Sequence, residues 1–180
     1  MDDWGQAFRL DRTLVEAISN RGSAHWQRGE LDAAISDFSD ALLVKPDLTR
    51  TLLARGSVYA ARNDQVHAIA DFYEALKVEP NNIQALTSRA FAYRTQGSSA
   101  KALSDYDAAI RLAPANGALY AARGDVYGGT GDLVKANADY TRAMQLDPRI
   151  IRPISTLTQT PNGAVFQSTV PLPPGTRPAP

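Results

Sequence analysis

The chain has 180 residues, enough for one ordinary domain or a short array of repeated units. Its 19 basic and 19 acidic residues cancel, so no net field exists to recruit nucleic acid or an anionic membrane. Cysteine is absent, which excludes disulfides and thiolate metal sites, and no apolar run is long enough for membrane insertion. The acidic start does not resemble a signal peptide. The compartment stays open: a soluble, cytoplasmic protein is the default, and a leader removed upstream is compatible with it.

Proline sets the period of the chain. Four of the eleven prolines recur at intervals of 34 residues, and the other seven lie beyond residue 150. The four are Pro46, Pro80, Pro114 and Pro148. Because proline ends helices and disfavours helical backbone in the residue before it, each of the four predicts the end of a helix. A fixed period of this length is typical of a repeated helical hairpin.

Aligning the chain on these prolines brings other positions into columns. In the second half of each unit, an alanine column is followed by an aromatic column and a second alanine column: Ala34/Ala68/Ala102/Ala136, Phe38/Phe72/Tyr106/Tyr140 and Ala41/Ala75/Ala109/Ala143. The first half carries an apolar, a small and a ring-bearing column: Ile18/Leu52/Leu86/Tyr120, Gly22/Gly56/Ala90/Gly124 and His25/Tyr59/Tyr93/Tyr127. Spacings of three and four place these positions on one helix face. Small residues let two helices approach closely while the aromatic rings fill the remaining space.

These columns predict an all-α chain of about nine helices. Residues 3–11 match residues 105–113, so the chain begins with half of a hairpin at 1–14. Either the natural protein extends upstream, which we favour, or this piece is a cap. Four full repeats follow at 15–48, 49–82, 83–116 and 117–150. Their helices are expected near 15–28, 31–44, 49–62, 65–78, 83–96, 99–112, 117–130 and 133–146.

The column pattern resembles that of the tetratricopeptide repeat (TPR) family over about residues 15 to 150. The resemblance implies an α-solenoid: antiparallel helix pairs stacked into a superhelix with a concave groove. Stacking is also expected physically, because one hairpin cannot bury its own apolar face. In the family, such arrays bind other proteins or peptide segments.

Two charged columns accompany the packing columns. Arginine recurs at 21, 55, 89 and 123, and aspartate at 3, 37, 71, 105 and 139. Since each charge repeats in every unit, we interpret both columns as structural ion pairs between helices of neighbouring hairpins. A basic ladder for a polyanion is the alternative, and pairing with the aspartates weakens it.

The resemblance implies that the groove is lined by first-helix residues not used in packing. These positions vary between repeats, as expected for specificity. The predicted groove residues are Glu16, Ser19, Ser23, Trp26 and Gln27; Arg50, Leu53, Ser57, Ala60 and Ala61; Gln84, Thr87, Phe91, Arg94 and Thr95; and Ala118, Ala121, Asp125, Gly128 and Gly129. We expect Trp26 and Phe91, with Arg50 and Arg94, to anchor a partner, because Trp and Arg dominate interface energetics. Packing of Trp26 against the adjoining hairpin is the alternative.

Chaperone-binding members of the family hold a C-terminal carboxylate with lysine, asparagine and arginine. The corresponding positions here carry Ser19, Ser23, Ala54, Gln84 and Ser88, or, shifted by one repeat, Leu53, Ser57, Ser88, Ala118 and Ala122. Neither set contains a cation, which predicts that this carboxylate clamp is absent.

No catalytic motif, cofactor site or metal site is predicted. The two histidines stand singly: His25 in the tyrosine column as a packing residue, and His67 on the surface. Gly128 to Gly131 superficially resembles a phosphate-binding loop, but no lysine follows. The interpretation as a helix end is favoured, and its glycines should make the last repeat the least stable.

Residues 151–180 leave the pattern and are rich in proline, which predicts an extended or disordered tail. A hairpin turning at Pro161-Asn162-Gly163 is an alternative for part of it. We therefore predict a non-catalytic scaffold or adaptor that binds a partner protein or peptide in its groove. The alternative is a self-association module that forms a homo-oligomer through its exposed array ends.

Overall fold

A computed structural model describes the backbone of residues 3–151 and the side chains of residues 13–151. Within this range the chain forms eight α-helices and no strand. They are α1 (Asp3–Gln27), α2 (Leu31–Val44), α3 (Thr49–Ala61), α4 (Gln65–Val78), α5 (Ile83–Thr95), α6 (Ser99–Leu112), α7 (Gly117–Gly129) and α8 (Leu133–Leu146). Successive helices pack as hairpins, α1 with α2 through α7 with α8, and the hairpins stack in chain order. The predicted α-solenoid is confirmed.

The first helix differs from the prediction. Instead of two helices, one at residues 3–11 and one from residue 15, α1 runs unbroken from Asp3 to Gln27. The later repeats are separated by a proline, but Arg12 stands at that position here, so nothing interrupts the helix. The count is therefore eight in the described chain rather than nine. The assignment of residues 1–14 to a half-repeat stays a prediction. The predicted tail hairpin and extended segment lie outside the described residues.

Turns and helix ends follow the sequence signals. Gly29, Asn63, Gly97 and Gly131 close the turn inside each hairpin with φ between 62° and 83°. This left-handed backbone strains most side chains and explains why three of the four are glycine. The residue before each periodic proline has φ between −127° and −141° and a positive ψ, outside the helical region, which ends α2, α4, α6 and α8.

The core consists of the predicted packing columns. Phe38 and Phe72 are essentially inaccessible, and the alanines on either side of each aromatic ring are fully buried. The ring lies directly against the backbone of the first helix: a Cβ added at Gly56 would be 2.7 Å from Cε1 of Phe72. The small-residue column, Gly22/Gly56/Ala90/Gly124, therefore sets the distance between the two helices of a hairpin.

The arginine and aspartate columns form ion pairs, but not those predicted. Each arginine binds the aspartate of its own hairpin through two hydrogen bonds of 2.6–2.9 Å, from Nε and Nη2 to the two carboxylate oxygens. The pairs are Arg21–Asp37, Arg55–Asp71, Arg89–Asp105 and Arg123–Asp139. The expectation that the pairs join neighbouring hairpins was wrong, because the two columns meet across the contact between the two helices of one hairpin.

Three of these arginines, Arg55, Arg89 and Arg123, also contact the preceding hairpin through their guanidinium groups. Arg55 donates to Ser39 at 3.0 Å, and Arg123 donates to Asp107 at 2.6 Å. The guanidinium of Arg89 lies 5.9 Å from the ring centre of Tyr73, which occupies the same column as Ser39 and Asp107. Each of these arginines thus bonds within its hairpin and touches the unit before it.

Candidate functional site

The first helices of successive hairpins, α1, α3, α5 and α7, share one surface that contains two adjoining depressions. Both are lined by Ser57 of α3, and we call them together the groove. The first has a volume of about 750 Å³ and the second about 440 Å³. An extended peptide segment could therefore lie across both without leaving the surface.

The first depression is lined mainly by α1 and α3. Its residues are Ser23, Trp26, Gln27, Thr49, Arg50, Leu53, Ala54, Ser57, Glu79, Asn82 and Gln84. Seven of the predicted groove residues meet here: Ser23, Trp26, Gln27, Arg50, Leu53, Ser57 and Gln84. Trp26 is 37 % exposed, so much of its indole faces solvent. Leu53 by contrast is buried and contributes floor rather than rim.

The second depression lies between α3, α5 and α7 and is mostly apolar. Its residues are Ser57, Ala60, Phe72, Thr87, Ser88, Phe91, Tyr106, Ala118, Leu119 and Ala122. The predicted groove residues that join Ser57 here are Ala60, Thr87, Phe91 and Ala118. Phe91 is 49 % exposed, whereas Leu119 is buried. Small side chains from α3 and α7 leave the space into which a large apolar group fits.

Nine predicted groove residues line neither depression: Glu16, Ser19, Ala61, Arg94, Thr95, Ala121, Asp125, Gly128 and Gly129. The hydroxyl of Ser19 is hydrogen-bonded to that of Thr51 at 2.9 Å, which links α1 to α3. Arg94 donates to Asp125 at 3.3 Å, and the hydroxyl of Tyr140 also donates to Asp125. These contacts give Ser19, Arg94 and Asp125 roles between helices.

The hydroxyl groups of the groove bond to their own helices. Ser23 donates to the carbonyl of Ser19, Ser57 to that of Leu53 and Thr87 to that of Ile83. Each donor is thereby used, while the hydroxyl oxygen keeps acceptor capacity. The groove consequently offers acceptors suited to backbone N–H groups of a bound chain.

Arg50 and Glu79 are the charged residues that line the first depression. Glu79 accepts a hydrogen bond from Nδ2 of Asn82 at 2.8 Å. Hydrogen bonds from Asn82 and then Thr49 lower the pKa of Glu79, so its carboxylate stays ionised at neutral pH. The side chain of Arg50 forms no hydrogen bond or ion pair with the described residues.

Sequence reasoning missed Thr49, Glu79 and Asn82 because it considered only the exposed faces of the first helices. Glu79 and Asn82 belong to the linker between α4 and α5, and Asn82 caps α5 by accepting from the backbone N–H of Ala85. The sequence Pro80-Asn81-Asn82 could have indicated them, because an asparagine after the proline is a typical helix cap and lies where the linker meets the groove.

The histidines do not converge on any site. His25 is partly buried and contacts Glu30 and Asp37. His67 is exposed, bonds to Asp64 at 2.6 Å and stacks on Tyr59. Among residues 13–151 no group of three or more potential metal-binding His, Asp or Glu side chains comes together. No helix in the described part of the chain is both long and apolar enough to cross a membrane.

Comparison with known sequences identifies the repeated unit. Profiles described as tetratricopeptide repeat match residues 19–83, 83–116 and 118–150. The chain belongs to the tetratricopeptide repeat family. No curated protein matches it in sequence. TPR proteins are generally non-catalytic scaffolds, and the groove described above lies on the first helices of the TPR array.

Solved structures share the fold. A crystal structure of MamA superposes with a TM-score of 0.72 at 18 % identity, covering 81 % of this chain and 85 % of the other. A TPR protein from Parabacteroides merdae gives 0.71 at 21 % identity, covering 77 % and 55 %. The first TPR domain of Spaghetti (RPAP3), bound to an HSP90 peptide, gives 0.55 at 18 % identity, covering 73 % and 90 %. At these identities the likeness concerns the fold alone.

Proposed function

We propose that this TPR array is a non-catalytic adaptor that binds an extended segment of a partner protein in the groove. The observation that carries the proposal is the pair of adjoining depressions, each with a half-exposed aromatic side chain, Trp26 in one and Phe91 in the other. Exposed aromatic side chains beside small residues are typical anchors of protein interfaces. They occur where the sequence varies between repeats, whereas the packing columns stay nearly constant.

The related RPAP3 domain holds a peptide, which supports a peptide as the class of ligand. The mode of binding here is expected to differ. None of the positions that correspond to the carboxylate clamp carries a cation, so recognition should depend on side chains within the segment rather than on a free C-terminus.

Selection from a library of displayed random peptides tests the proposal. Peptides selected on the wild-type protein should lose binding to the double variant Trp26→Ala/Phe91→Ala. The matched control is Leu43→Ala/Tyr73→Ala, which removes two exposed side chains of α2 and α4 that line neither depression. The control should bind like wild type. Wild-type binding by both double variants would refute the groove assignment, provided that circular dichroism spectra like that of wild type establish that both are folded.

A second candidate, self-association through the array ends, is favoured by exposure at both ends. Met144 is 39 % exposed, whereas Leu42, Leu76 and Ile110 in the same column are at most 9 % exposed because the next hairpin covers them. At the other end, the side chain of Arg21 is 62 % exposed against 16–21 % for the equivalent arginines. A surface that normally covers the next hairpin could cover the first hairpin of another copy.

Sedimentation at increasing protein concentration tests this candidate. Concentration-dependent mass that Met144→Lys abolishes would support stacking. Val66→Lys is the control, since Val66 is an exposed apolar residue of α4, in an inner hairpin away from the array ends. A mass that stays monomeric at high concentration would exclude self-association.

A further inference from the structure

The arginines around the groove differ in whether they are bound to a partner of opposite charge. Three members of the arginine column near it, Arg55, Arg89 and Arg123, are bound to buried aspartates, and Arg94 is bound to Asp125. Arg50 remains. Among the described side chains it is the cation that lines a depression, and it has no bonded partner there.

The neighbouring anion does not neutralise Arg50 by contact. Glu79 lines the same depression, but its bonds are to Asn82 and Thr49. Arg50 is therefore free to form two parallel hydrogen bonds with an incoming carboxylate. A single guanidinium matches the single charge of a carboxylate, whereas recognition of a phosphate group typically uses a cluster of arginines.

The surroundings of Arg50 strengthen such a bond. Trp26 lines the same depression, where its indole ring can cover one side of a group that binds Arg50. Its indole N–H can only donate, which suits an acidic rather than a basic partner. Both features favour an acidic side chain beside Arg50.

The second depression selects a different side chain. Ala60, Ala118 and Ala122 leave open space beside Phe91. The guanidinium of Arg94 lies 5.0 Å from the ring centre of Phe91, and its bond to Asp125 holds it in place. Phe91 is thus a fixed apolar wall, and a large aliphatic or aromatic side chain is the group that fills the space against it.

We propose that the partner segment is an extended peptide with an acidic side chain that binds Arg50 and a large apolar side chain that fills the space beside Phe91. Ser57 lines both depressions, so one continuous segment reaches both sites. This inference rests on the proposed function and adds the chemistry of the ligand.

A display library of random peptides about twelve residues long, which reach roughly 40 Å when extended, provides the probe. Wild-type protein should enrich peptides that combine Asp or Glu with Leu, Ile, Met or Phe. Arg50→Glu should enrich Lys or Arg in place of the acid. Ala118→Trp, which fills the second depression from an exposed position, should remove the apolar preference and keep the acidic one. Arg111→Glu, an exposed charge reversal that lines neither depression, should select like wild type.

One selected peptide then gives a charge-swap cycle by fluorescence anisotropy. Reversing either the peptide's acid to Lys or Arg50 to Glu should weaken binding about tenfold or more, and combining both should restore most of the affinity. Binding unaffected by Arg50→Glu, or selection without acidic enrichment, would overturn the inference. Failure of the proposed function looks different: the wild-type protein would then select no peptide that Trp26→Ala/Phe91→Ala releases.

Discussion

The contact between Gly56 and Phe72 predicts a destabilising Gly→Ala substitution inside a helix. A Cβ at residue 56 would lie 2.7 Å from Cε1 of Phe72 and 3.1 Å from Cβ of Asp71. Neither neighbour can move freely, because Phe72 is buried and Asp71 is bound to Arg55. Such overlap inside a packed core costs about 2–3 kcal/mol.

Helix propensity acts in the opposite direction. Alanine is favoured over glycine by about 1 kcal/mol within a helix. We therefore expect Gly56→Ala to lower the free energy of unfolding by about 1–2 kcal/mol. For a chain of this size that corresponds to a melting temperature lower by roughly 2–8 °C.

Gly129→Ala is the matched control, because a Cβ at residue 129 meets no atom within 4 Å. Here only propensity acts, and because Gly129 is the last residue of α7 we expect a stabilisation smaller than the about 0.5–1 kcal/mol of a helix interior. Thermal and urea unfolding followed by far-ultraviolet circular dichroism measures both variants. If Gly56→Ala were as stable as wild type, the packing argument would fail. If Gly129→Ala were destabilised as well, the loss of stability in Gly56→Ala could not be assigned to the contact with Phe72.

Three further predictions concern polar contacts. Arg21 lowers the pKa of Asp37 by hydrogen bonding. The resulting contribution to stability is complete above the ordinary pKa of 3.8 and is lost as pH falls through the lowered pKa. Arg21→Gln should therefore move acid unfolding, followed by circular dichroism, to higher pH. Asp105→Asn leaves the largely buried guanidinium of Arg89 without its counter-charge and should reduce the urea-derived free energy of unfolding by about 2 kcal/mol. Asn116→Ala removes the side chain that caps α7 and should cost about 1 kcal/mol in the same assay, whereas Asn116→Asp should cost much less. Unchanged acid unfolding, or unfolding free energies equal to wild type, would contradict the respective contact.

The helix boundaries could be predicted closely from the sequence, because proline, glycine and the aromatic column act locally and repeat four times. The helix break expected near Arg12 was not found. In the later repeats a proline causes the break, and Arg12 stands at the corresponding position near the start of the chain. The arginine partners were also assigned incorrectly. Arg55 is nearly equally far along the chain from Asp37 and Asp71, and only the packing of helices within one hairpin decides between them.

The groove could be predicted in part. Helix periodicity and the family resemblance indicated the first helices, and Trp26, Arg50 and Phe91 line the depressions accordingly. The sequence pattern could not show that Arg94 forms an ion pair with Asp125 of the next repeat. Nor could it show that the linker residues Glu79 and Asn82 form part of the wall, because their positions depend on how adjacent hairpins stack.

The double attachment of Arg123 couples the stabilities of adjacent units. Its guanidinium binds Asp139 of its own hairpin and Asp107 of the preceding one, so loss of the last hairpin also removes a counter-ion partner from the unit that remains. In a linear array whose stability depends on nearest-neighbour terms, such a bond raises the cost of a boundary between folded and unfolded repeats. The glycine-rich final hairpin should therefore tend to unfold together with its neighbour rather than fray independently, which lengthens the cooperative unit at that end of the array.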